Sequence, residues 1–112
     1  MPRLQFRAAA RRDIAEIAAY IEQESQSREA ADAFIQSIAA YCEHLATLSS
    51  MIGRPRPELL PGYRSVIFGN YVIFIRYGNE DGLRSDLYII RILHGARDLD
   101  AYFKDEQGDE DA

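Results

Sequence analysis

The chain has 112 residues and a mass of 12.7 kDa, which predicts a single domain with one hydrophobic core. Hydrophobic residues make up 47% of the sequence, so we expect a folded protein rather than a disordered chain. The net charge is -5, but five of the 18 acidic residues lie at positions 105–112, and the other 13 balance the 13 basic residues. A neutral body argues against a dedicated nucleic-acid-binding protein. We therefore expect one domain at residues 1–104 and an acidic C-terminal tail at 105–112.

Compartment and cofactors are constrained by what the sequence lacks. No run approaches the roughly 20 apolar residues that cross a membrane. The single cysteine, Cys42, cannot form an internal disulfide, which fits a reducing cytoplasm. Cys42 has no partner at metal-ligand spacing, and His44 and His94 stand far apart along the chain. Because a glycine-rich phosphate loop is also absent, we expect neither a metal nor another cofactor.

The chain begins with a short predicted strand and a helix. Leu4 and Phe6 alternate with polar residues over positions 3–7, the pattern of a strand. A helix is predicted from about Ala8 to Glu24, because apolar residues recur there at spacings of three and four. The predicted buried face of this helix consists of Ile14, Ile17, Ala18 and Ile21.

A second helix is predicted to lie antiparallel to the first. Ser27 suits the N-cap position, and the helix should extend to about Leu48. The polar link between the helices is short, which favours a helical hairpin. Its apolar stripe is Ala30, Phe34, Ile38, Tyr41, Leu45 and Leu48. Gly53 and three prolines make residues 49–62 a connector without a long regular element.

Three strands joined by two hairpins are predicted at residues 63–68, 71–77 and 87–94. β-Branched and aromatic residues fill all three runs. Gly69 and Asn70 form a two-residue turn, and residues 78–82 form a longer loop. The last run is almost continuously apolar, which predicts a strand covered on both faces and central in its sheet.

The predicted fold class is α+β, with a helical hairpin packed on a small, mostly antiparallel four-stranded sheet. The order is β-α-α-β-β-β, followed by a short C-terminal helix from Leu99 to about Glu106. The first strand cannot pair through a tight turn, so we expect it to dock by long-range pairing beside the strand at 87–94.

Polar residues on and near the predicted sheet are the candidate functional residues. Guanidinium groups can clamp phosphates, and a carboxylate or an imidazole could perform acid–base chemistry on RNA. Strict alternation places Arg91 on the face of Leu87, Ile89 and Leu93, and His94 on the face of Tyr88, Ile90 and Ile92. The two residues therefore need not cooperate. In the alternative interpretation, each arginine pairs with a local acid and His94 is a structural hydrogen-bonding residue.

Several segments, in this order, resemble toxins of the ParE branch of the ParE/RelE superfamily. These are the toxin halves of type II toxin–antitoxin systems, often described as plasmid stabilisation proteins. The resemblance covers nearly the whole chain and implies a β-α-α-β-β-β fold. It rests on Ala10-Arg-Arg-Asp-Ile-Ala-Glu-Ile17, Tyr20-Ile21, Gly53-Arg-Pro-Arg-Pro-Glu-Leu59, Gly62-Tyr-Arg-Ser65, Tyr71-Val-Ile-Phe-Ile-Arg76 and Arg91-Ile-Leu-His-Gly-Ala-Arg-Asp98.

The resemblance implies a protein partner. A ParD-like antitoxin would wrap the toxin with its C-terminal segment and bind operator DNA with its N-terminal part, so direct DNA binding by this chain is not expected. A small domain with exposed strand edges suits a segment that folds on binding. The candidate contacts to antitoxin or target are Arg64, Tyr71, Arg76, Arg91 and Arg97.

The resemblance leaves two targets open. The ParE branch is associated with inhibition of DNA gyrase, which requires no catalytic residues in the toxin. The RelE branch cleaves mRNA on the ribosome, and here its catalytic residues would be Glu58, Arg76, Arg91 and His94. The only lysine is Lys104, so the lysine cluster of some family nucleases is missing. Tyr71 and Val72 stand where related nucleases place an arginine. We therefore favour gyrase inhibition, with endoribonuclease and non-toxic antitoxin-binding module as alternatives.

Overall fold

The computed structural model describes residues 3–48, 50–78 and 86–95. Two helices pack on a sheet of five strands, which confirms the predicted α+β class. The predicted C-terminal helix at Leu99, the loop at 79–82 and Arg97 lie outside the described residues. The elements are β1 (Leu4–Phe6), α1 (Ala8–Ser25), α2 (Arg28–Thr47), β2 (Arg54–Pro55), β3 (Tyr63–Phe68), β4 (Tyr71–Tyr77) and β5 (Leu87–His94).

The strand order in the sheet is β1-β5-β4-β3-β2. β1 pairs with β5 in parallel, and the other neighbouring strands are antiparallel. The position of β1 beside the last strand agrees with the prediction of long-range pairing. β5 is an interior strand, as expected from its apolar run, although β4 and not β5 occupies the middle of the sheet.

The connector contains a strand that the sequence pattern did not predict. Arg54 pairs with Ser65 and Pro55 pairs with Arg64, which adds β2 to the edge of β3 and makes five strands instead of four. A proline is tolerated there because an edge strand can leave one side of its backbone unpaired. Two residues carry too little periodicity to reveal a strand, and this one exists only through its pairing with β3.

Local signals account for the helix ends and the tight turn. The Ser27 hydroxyl accepts a hydrogen bond from the backbone N–H of Ala30 at 3.1 Å, as an N-cap should. Gln26 ends α1 in the left-handed conformation, with a φ of 58°. Gly69 has a φ of 59° at the first central position of the β3–β4 turn, which is the pattern of a type II′ hairpin.

The sheet separates two apolar clusters, and we call its two sides the helix face and the open face. The helix face packs against both helices through side chains such as Ile38, Cys42, Ile73 and Ile89, all fully buried. The open face has its own cluster, made of Leu59, Val72, Phe74 and Leu93. No residue of α1 or α2 belongs to this second cluster, and Leu59 of the connector is its one described member outside the strands.

A β-bulge in β5 overturns the predicted alternation. Phe74 pairs with Arg91 and Ile75 pairs with Ile89, so Ile90 is an extra residue between them. The extra residue shifts the alternation of side chains, so that residues after the bulge lie on the opposite face from the one that strict alternation predicts. Ile89 and Ile92 both face the helices, whereas Leu93 joins the open-face cluster, so the assignment of Leu93 to the face of Ile89 is wrong.

Candidate functional site

Arg91 is held by an acidic residue of the first helix. Its Nε donates to Asp13 Oδ2 at 2.8 Å and its Nη2 donates to Oδ1 at 3.1 Å, a bidentate ion pair. Oδ2 also accepts from the backbone N–H of Ile92 at 2.8 Å. The two residues are 78 positions apart, so sequence spacing could not reveal the pair. Arg91 thus has an acidic partner, but a residue distant in the sequence and not the local acid of the alternative interpretation.

Asp13 completes the hydrogen bonding of β5 where β1 has ended. β1 stops at Phe6, opposite Ile89, and Arg7 donates the next backbone hydrogen bond to the Ile89 carbonyl at 3.0 Å. Beyond that point the chain turns into α1, and the Asp13 carboxylate binds the Ile92 N–H. The side chain therefore takes the place of a strand residue.

His94 and Tyr71 lie together on the helix face. They are cross-strand partners, and their rings meet edge to face with centroids 5.7 Å apart. Tyr71 also packs on Phe34 of α2 at 5.4 Å. Both candidates are half-buried, so this histidine is packed among aromatic rings and not presented on the open face.

Arg64 holds the connector against the sheet. Its Nε donates to the carbonyl of Ile52 at 2.7 Å, and its Nη2 donates to the carbonyl of Gly53 at 2.8 Å. The backbone N–H of Ile52 in turn donates to the hydroxyl of Tyr77 at 3.2 Å. These bonds fix residues 52 and 53 beside β3, which gives Arg64 a structural role.

Arg76 is the one exposed arginine among the candidates that the structure describes. It lies on the open face between two tyrosines, because it pairs with Tyr63 on β3 and with Tyr88 on β5. The guanidinium of Arg7 lies 4.7 Å from the centre of the Tyr88 ring, a cation–π contact. Arginine and tyrosine therefore alternate across this end of the sheet.

Glu58 lies beside the open face in an ion pair. Its carboxylate is 3.6 Å from Nη1 of Arg56, and Arg56 Nε donates to the buried hydroxyl of Ser65 at 2.9 Å. The Glu58 side chain is 51% exposed, so this pair adds little stability. Glu58 is available to a partner, with one arginine already beside it.

The described residues of the open face carry more positive than negative charge. Arg7, Arg54 and Arg76 form no ion pair with any carboxylate in the described part of the chain. Apart from Glu58, the described acid on this side is Asp86, which accepts a hydrogen bond from the Gln5 amide at 3.3 Å. We call Arg7, Arg54 and Arg76 the open-face arginines.

A shallow groove of about 260 Å³ lies between the two helices. Its apolar lining includes Ala18, Ala31 and Ile35, and Ile35 is 39% exposed. Its charged lining consists of Glu22, Arg28 and Asp32. This groove can accept a small apolar side chain of a partner, a feature that the helix periodicity did not predict.

Cys42 is fully buried on the helix face, where it contacts the core cluster. Burial, with a smaller contribution from the nearby Glu43 carboxylate, raises the pKa of the Cys42 thiol to about 12. The nucleophilic form of cysteine is the thiolate, so this thiol is inert at neutral pH. The described residues also contain no group of three or more side chains that could hold a metal ion, and no described helix is long and apolar enough to cross a membrane.

The predicted catalytic set does not converge on one point. Arg76 lies on the open face, His94 lies on the helix face, and the Arg91 guanidinium is bound to Asp13. Glu58 projects from the connector. The arrangement instead offers two separate surfaces to partners, the basic open face and the groove between the helices.

Comparison with known proteins agrees with this architecture. The fold matches a solved structure described as a chromosomal ParDE TA system from P. aeruginosa, with a TM-score of 0.69 and 21% sequence identity. The match covers 84% of this chain and 96% of the other. A search of curated proteins found no significant match. The profile of the family described as ParE toxin of type II toxin-antitoxin system, parDE, matches residues 4–99, and this chain therefore belongs to the ParE toxin family.

Proposed function

We propose that this toxin acts without catalysis by inhibiting DNA gyrase, and that a ParD-like antitoxin neutralises it. The observation that carries the proposal is the separation of the candidate acid–base residues by the sheet. Cleavage of RNA requires a base, an acid and positive charge within hydrogen-bond reach of one phosphate. Here His94 lies on the helix face, Glu58 and Arg76 lie on the side of the open face, and Arg91 is engaged by Asp13. This separation supports a toxin that acts through its surface.

The antitoxin is proposed to bind both surfaces described above. Acidic side chains of the antitoxin would pair with the open-face arginines, all three of which are exposed and of which Arg76 is the predicted contact. An apolar side chain would enter the groove between the helices, beside Ile35. Arg64 and Arg91 contribute indirectly, because their guanidiniums hold the connector and β5 in place.

The complex of toxin and antitoxin would be heteromeric. It would form in the cytoplasm, where gyrase acts. Contact with operator DNA would come only through the antitoxin, in keeping with the neutral body of this chain. The open-face arginines alone are too few for strong non-specific binding to a duplex, since each phosphate contact contributes only a small, salt-dependent increment.

The direct test is a supercoiling assay with purified gyrase. We expect inhibition at toxin concentrations comparable to that of gyrase, with trapped DNA breaks, and an SOS response in cells that express the toxin without antitoxin. His94→Ala should retain wild-type potency, because the proposal gives this residue no chemical role. Unchanged supercoiling and intact DNA in intoxicated cells would refute gyrase as the target.

A ribosome-dependent endoribonuclease is the second candidate, and one observation favours it. Arg76 lies between Tyr63 and Tyr88 on an exposed sheet surface, and arginine flanked by aromatic rings suits unstacked RNA bases and phosphates. This candidate predicts mRNA cuts at defined codon positions that disappear in both His94→Ala and Arg76→Ala. Toxicity at the wild-type level in both variants would exclude it.

A chain that retains antitoxin binding but poisons nothing would behave differently in one simple measurement. Cells would grow freely despite strong expression of soluble protein, and purified chain would still bind the antitoxin with high affinity. Growth arrest on expression of the wild-type chain would exclude this third possibility. Arg76→Gln should weaken antitoxin binding, whereas Arg28→Gln, a change at another exposed arginine that lines the groove, measures the contribution of the other surface.

A further inference from the structure

We propose that residues 54–62, which we call the strap, open and close as one unit over the open face while the rest of the sheet stays folded. The strap follows Gly53 and leads into β3, and Leu59 anchors it to the sheet. Three features support this motion: the strap is fixed at both ends, it buries one side chain, and its hydrogen bonds to the sheet are few. The inference is independent of the toxin's target.

The first feature is that both ends of the strap are held by the sheet. At its start, the Arg64 guanidinium donates to the carbonyls of Ile52 and Gly53 at 2.7 and 2.8 Å. The hydroxyl of Tyr77 accepts from the Ile52 N–H at 3.2 Å. At its end, the strap continues directly into Tyr63, the first residue of β3. The strap therefore opens between two fixed ends, and closing it again costs less conformational entropy than ordering a free segment.

The second feature is that one apolar side chain anchors the strap between these ends. Of the strap residues, all of which the structure describes, Leu59 alone is buried, at 5% exposed. Its side chain joins the open-face cluster formed by Val72, Phe74 and Leu93 of β4 and β5. Burial of one leucine contributes far less free energy than the whole core on the helix face. The release of Leu59 is therefore a small part of complete unfolding.

The third feature is the small number of hydrogen bonds between the strap and the sheet. Three strap residues are prolines, which have no N–H to donate, and β2 contributes only two paired residues. The Arg56 N–H donates to the Tyr63 carbonyl at 2.7 Å, and Arg56 Nε donates to the Ser65 hydroxyl at 2.9 Å. The Leu59 N–H donates to the Arg56 carbonyl, within the strap itself. Segments with few buried contacts and an exposed backbone are those that open locally.

The closed and open positions of the strap present different surfaces to a partner. In the closed position, Arg54 lies two strands from Arg76 with an offset of two residues, so their Cα atoms are about 12 Å apart. Opening carries Arg54 and Glu58 away from Arg76 and uncovers one side of Phe74. A partner that contacts Arg54 and Arg76 together therefore binds only the closed strap and shifts the equilibrium towards it.

Native-state hydrogen exchange of the full, isotope-labelled chain tests the proposal. The N–H groups of Arg56 and Tyr63, which we call the strap amides, report on the strap, and those of Ile73 and Ile75 report on the centre of the sheet. We expect the strap amides to share one opening equilibrium constant, at least about 100-fold larger than that of the β4 amides and less dependent on denaturant. Strap amides that exchange as slowly as the β4 amides, at unrelated rates, or without any protection would overturn the proposal.

Leu59→Ala distinguishes opening of the whole strap from fraying of its backbone. The substitution weakens the closed state relative to both the open strap and the unfolded chain, so the strap and β4 amides should both exchange about tenfold faster or more. Ile38→Val is the matched control, because Ile38 is fully buried on the helix face and stays buried when the strap opens. It should accelerate the β4 amides about two- to tenfold and leave the strap amides unchanged. Strap amides that keep the wild-type rate in Leu59→Ala, or that respond equally to both substitutions, would refute the proposal.

Ser65→Ala tests the polar contact of the strap and keeps the test valid if Leu59→Ala does not fold. It removes the acceptor of Arg56 Nε, so the strap amides should exchange about two- to tenfold faster. Ser37→Ala, an exposed change on α2, should alter neither group of amides. Strap amides that are unaffected by Ser65→Ala would contradict a strap held closed through Arg56.

Discussion

Replacing Asp13 with alanine should destabilise this fold more than the loss of any exposed carboxylate. The Asp13 side chain is 10% exposed and accepts hydrogen bonds from Arg91 Nε, Arg91 Nη2 and the Ile92 N–H at 2.8, 3.1 and 2.8 Å. Alanine removes both carboxylate oxygens, so the Arg91 guanidinium and the Ile92 N–H lose these hydrogen bonds.

The magnitude follows from the two groups left behind. Removing one partner of a fully buried ion pair costs about 3–5 kcal/mol. The Arg91 side chain is 31% exposed, so hydration should reduce this cost to about 2 kcal/mol. An unsatisfied backbone N–H at Ile92 adds about 1 kcal/mol or more. We therefore expect Asp13→Ala to lower the free energy of unfolding by about 3 kcal/mol, and Asp13→Asn, which retains one oxygen acceptor, by about half as much.

Chemical unfolding at neutral pH, followed by circular dichroism, measures the difference. Glu16→Ala is the control, because Glu16 is an exposed carboxylate one turn further along the same helix and should change stability by no more than about 0.5 kcal/mol. Combining Asp13→Ala with Arg91→Met in a double-mutant cycle isolates the pair itself. A loss below about 1 kcal/mol for Asp13→Ala, the value of a surface ion pair, would refute the reasoning.

Three further changes test other parts of the structure. Ser27→Ala removes the N-cap of α2 and should cost about 1 kcal/mol in chemical unfolding, whereas Ser37→Ala, an exposed change within the same helix, should cost nothing. Gly53→Ala should cost more than about 1 kcal/mol, because its φ is 90° and a Cβ there would lie 2.8 Å from a β3 carbonyl oxygen. Gly69→Asn should be far milder, since nothing lies within 4 Å of a Cβ at that turn, and equal losses at the two glycines would contradict this reasoning. The raised pKa of Cys42 means that unfolding exposes a thiol that ionises near pH 9, so stability is intact below pH 9 and falls as pH rises towards about 12, by at most about 1.4 kcal/mol per pH unit. Cys42→Ala should lack this component in unfolding measured from pH 8 to 11, and identical pH profiles for the two proteins would contradict it.

The features that the sequence predicted well are those set by local chemistry. The N-cap at Ser27, the tight turn at Gly69 and the amphipathic helices each depend on a few neighbouring residues. The pairing of β1 with β5 could also be predicted, because two helices separate this three-residue strand from the other strands and it has no local partner. These parts of the fold follow from spacing and side-chain type alone.

The features that escaped prediction depend on contacts between distant residues. The bulge at Ile90 inserts one residue into a run that looks uniformly apolar, so alternation misassigned the residues after it. The Asp13–Arg91 pair joins a helix to a strand, and Asp13 looked like an ordinary helix-surface acid. A buried acid on the strand-facing side of an amphipathic helix is the one signal that could have indicated a partner.

The candidate site was predictable in residue type but not in arrangement. Arginine content correctly indicated a basic sheet surface, yet Arg7 and Arg54 complete that surface and were not among the candidates. Arg64 and Arg91 were candidates, and their guanidiniums bind internal groups. Which face each side chain occupies depends on the register of the strands, which residue type does not encode.

The parallel pairing of β1 with β5 has a consequence for the folding of this toxin. Gln5 and Asp86, which join the two strands by a hydrogen bond, are 81 positions apart. Closing so long a loop costs more conformational entropy than closing a hairpin, and native contacts of this range slow folding. During synthesis, the first strand must wait for the last to leave the ribosome. A nascent toxin therefore has a helical hairpin before it has a complete sheet, and any surface that requires all five strands appears last.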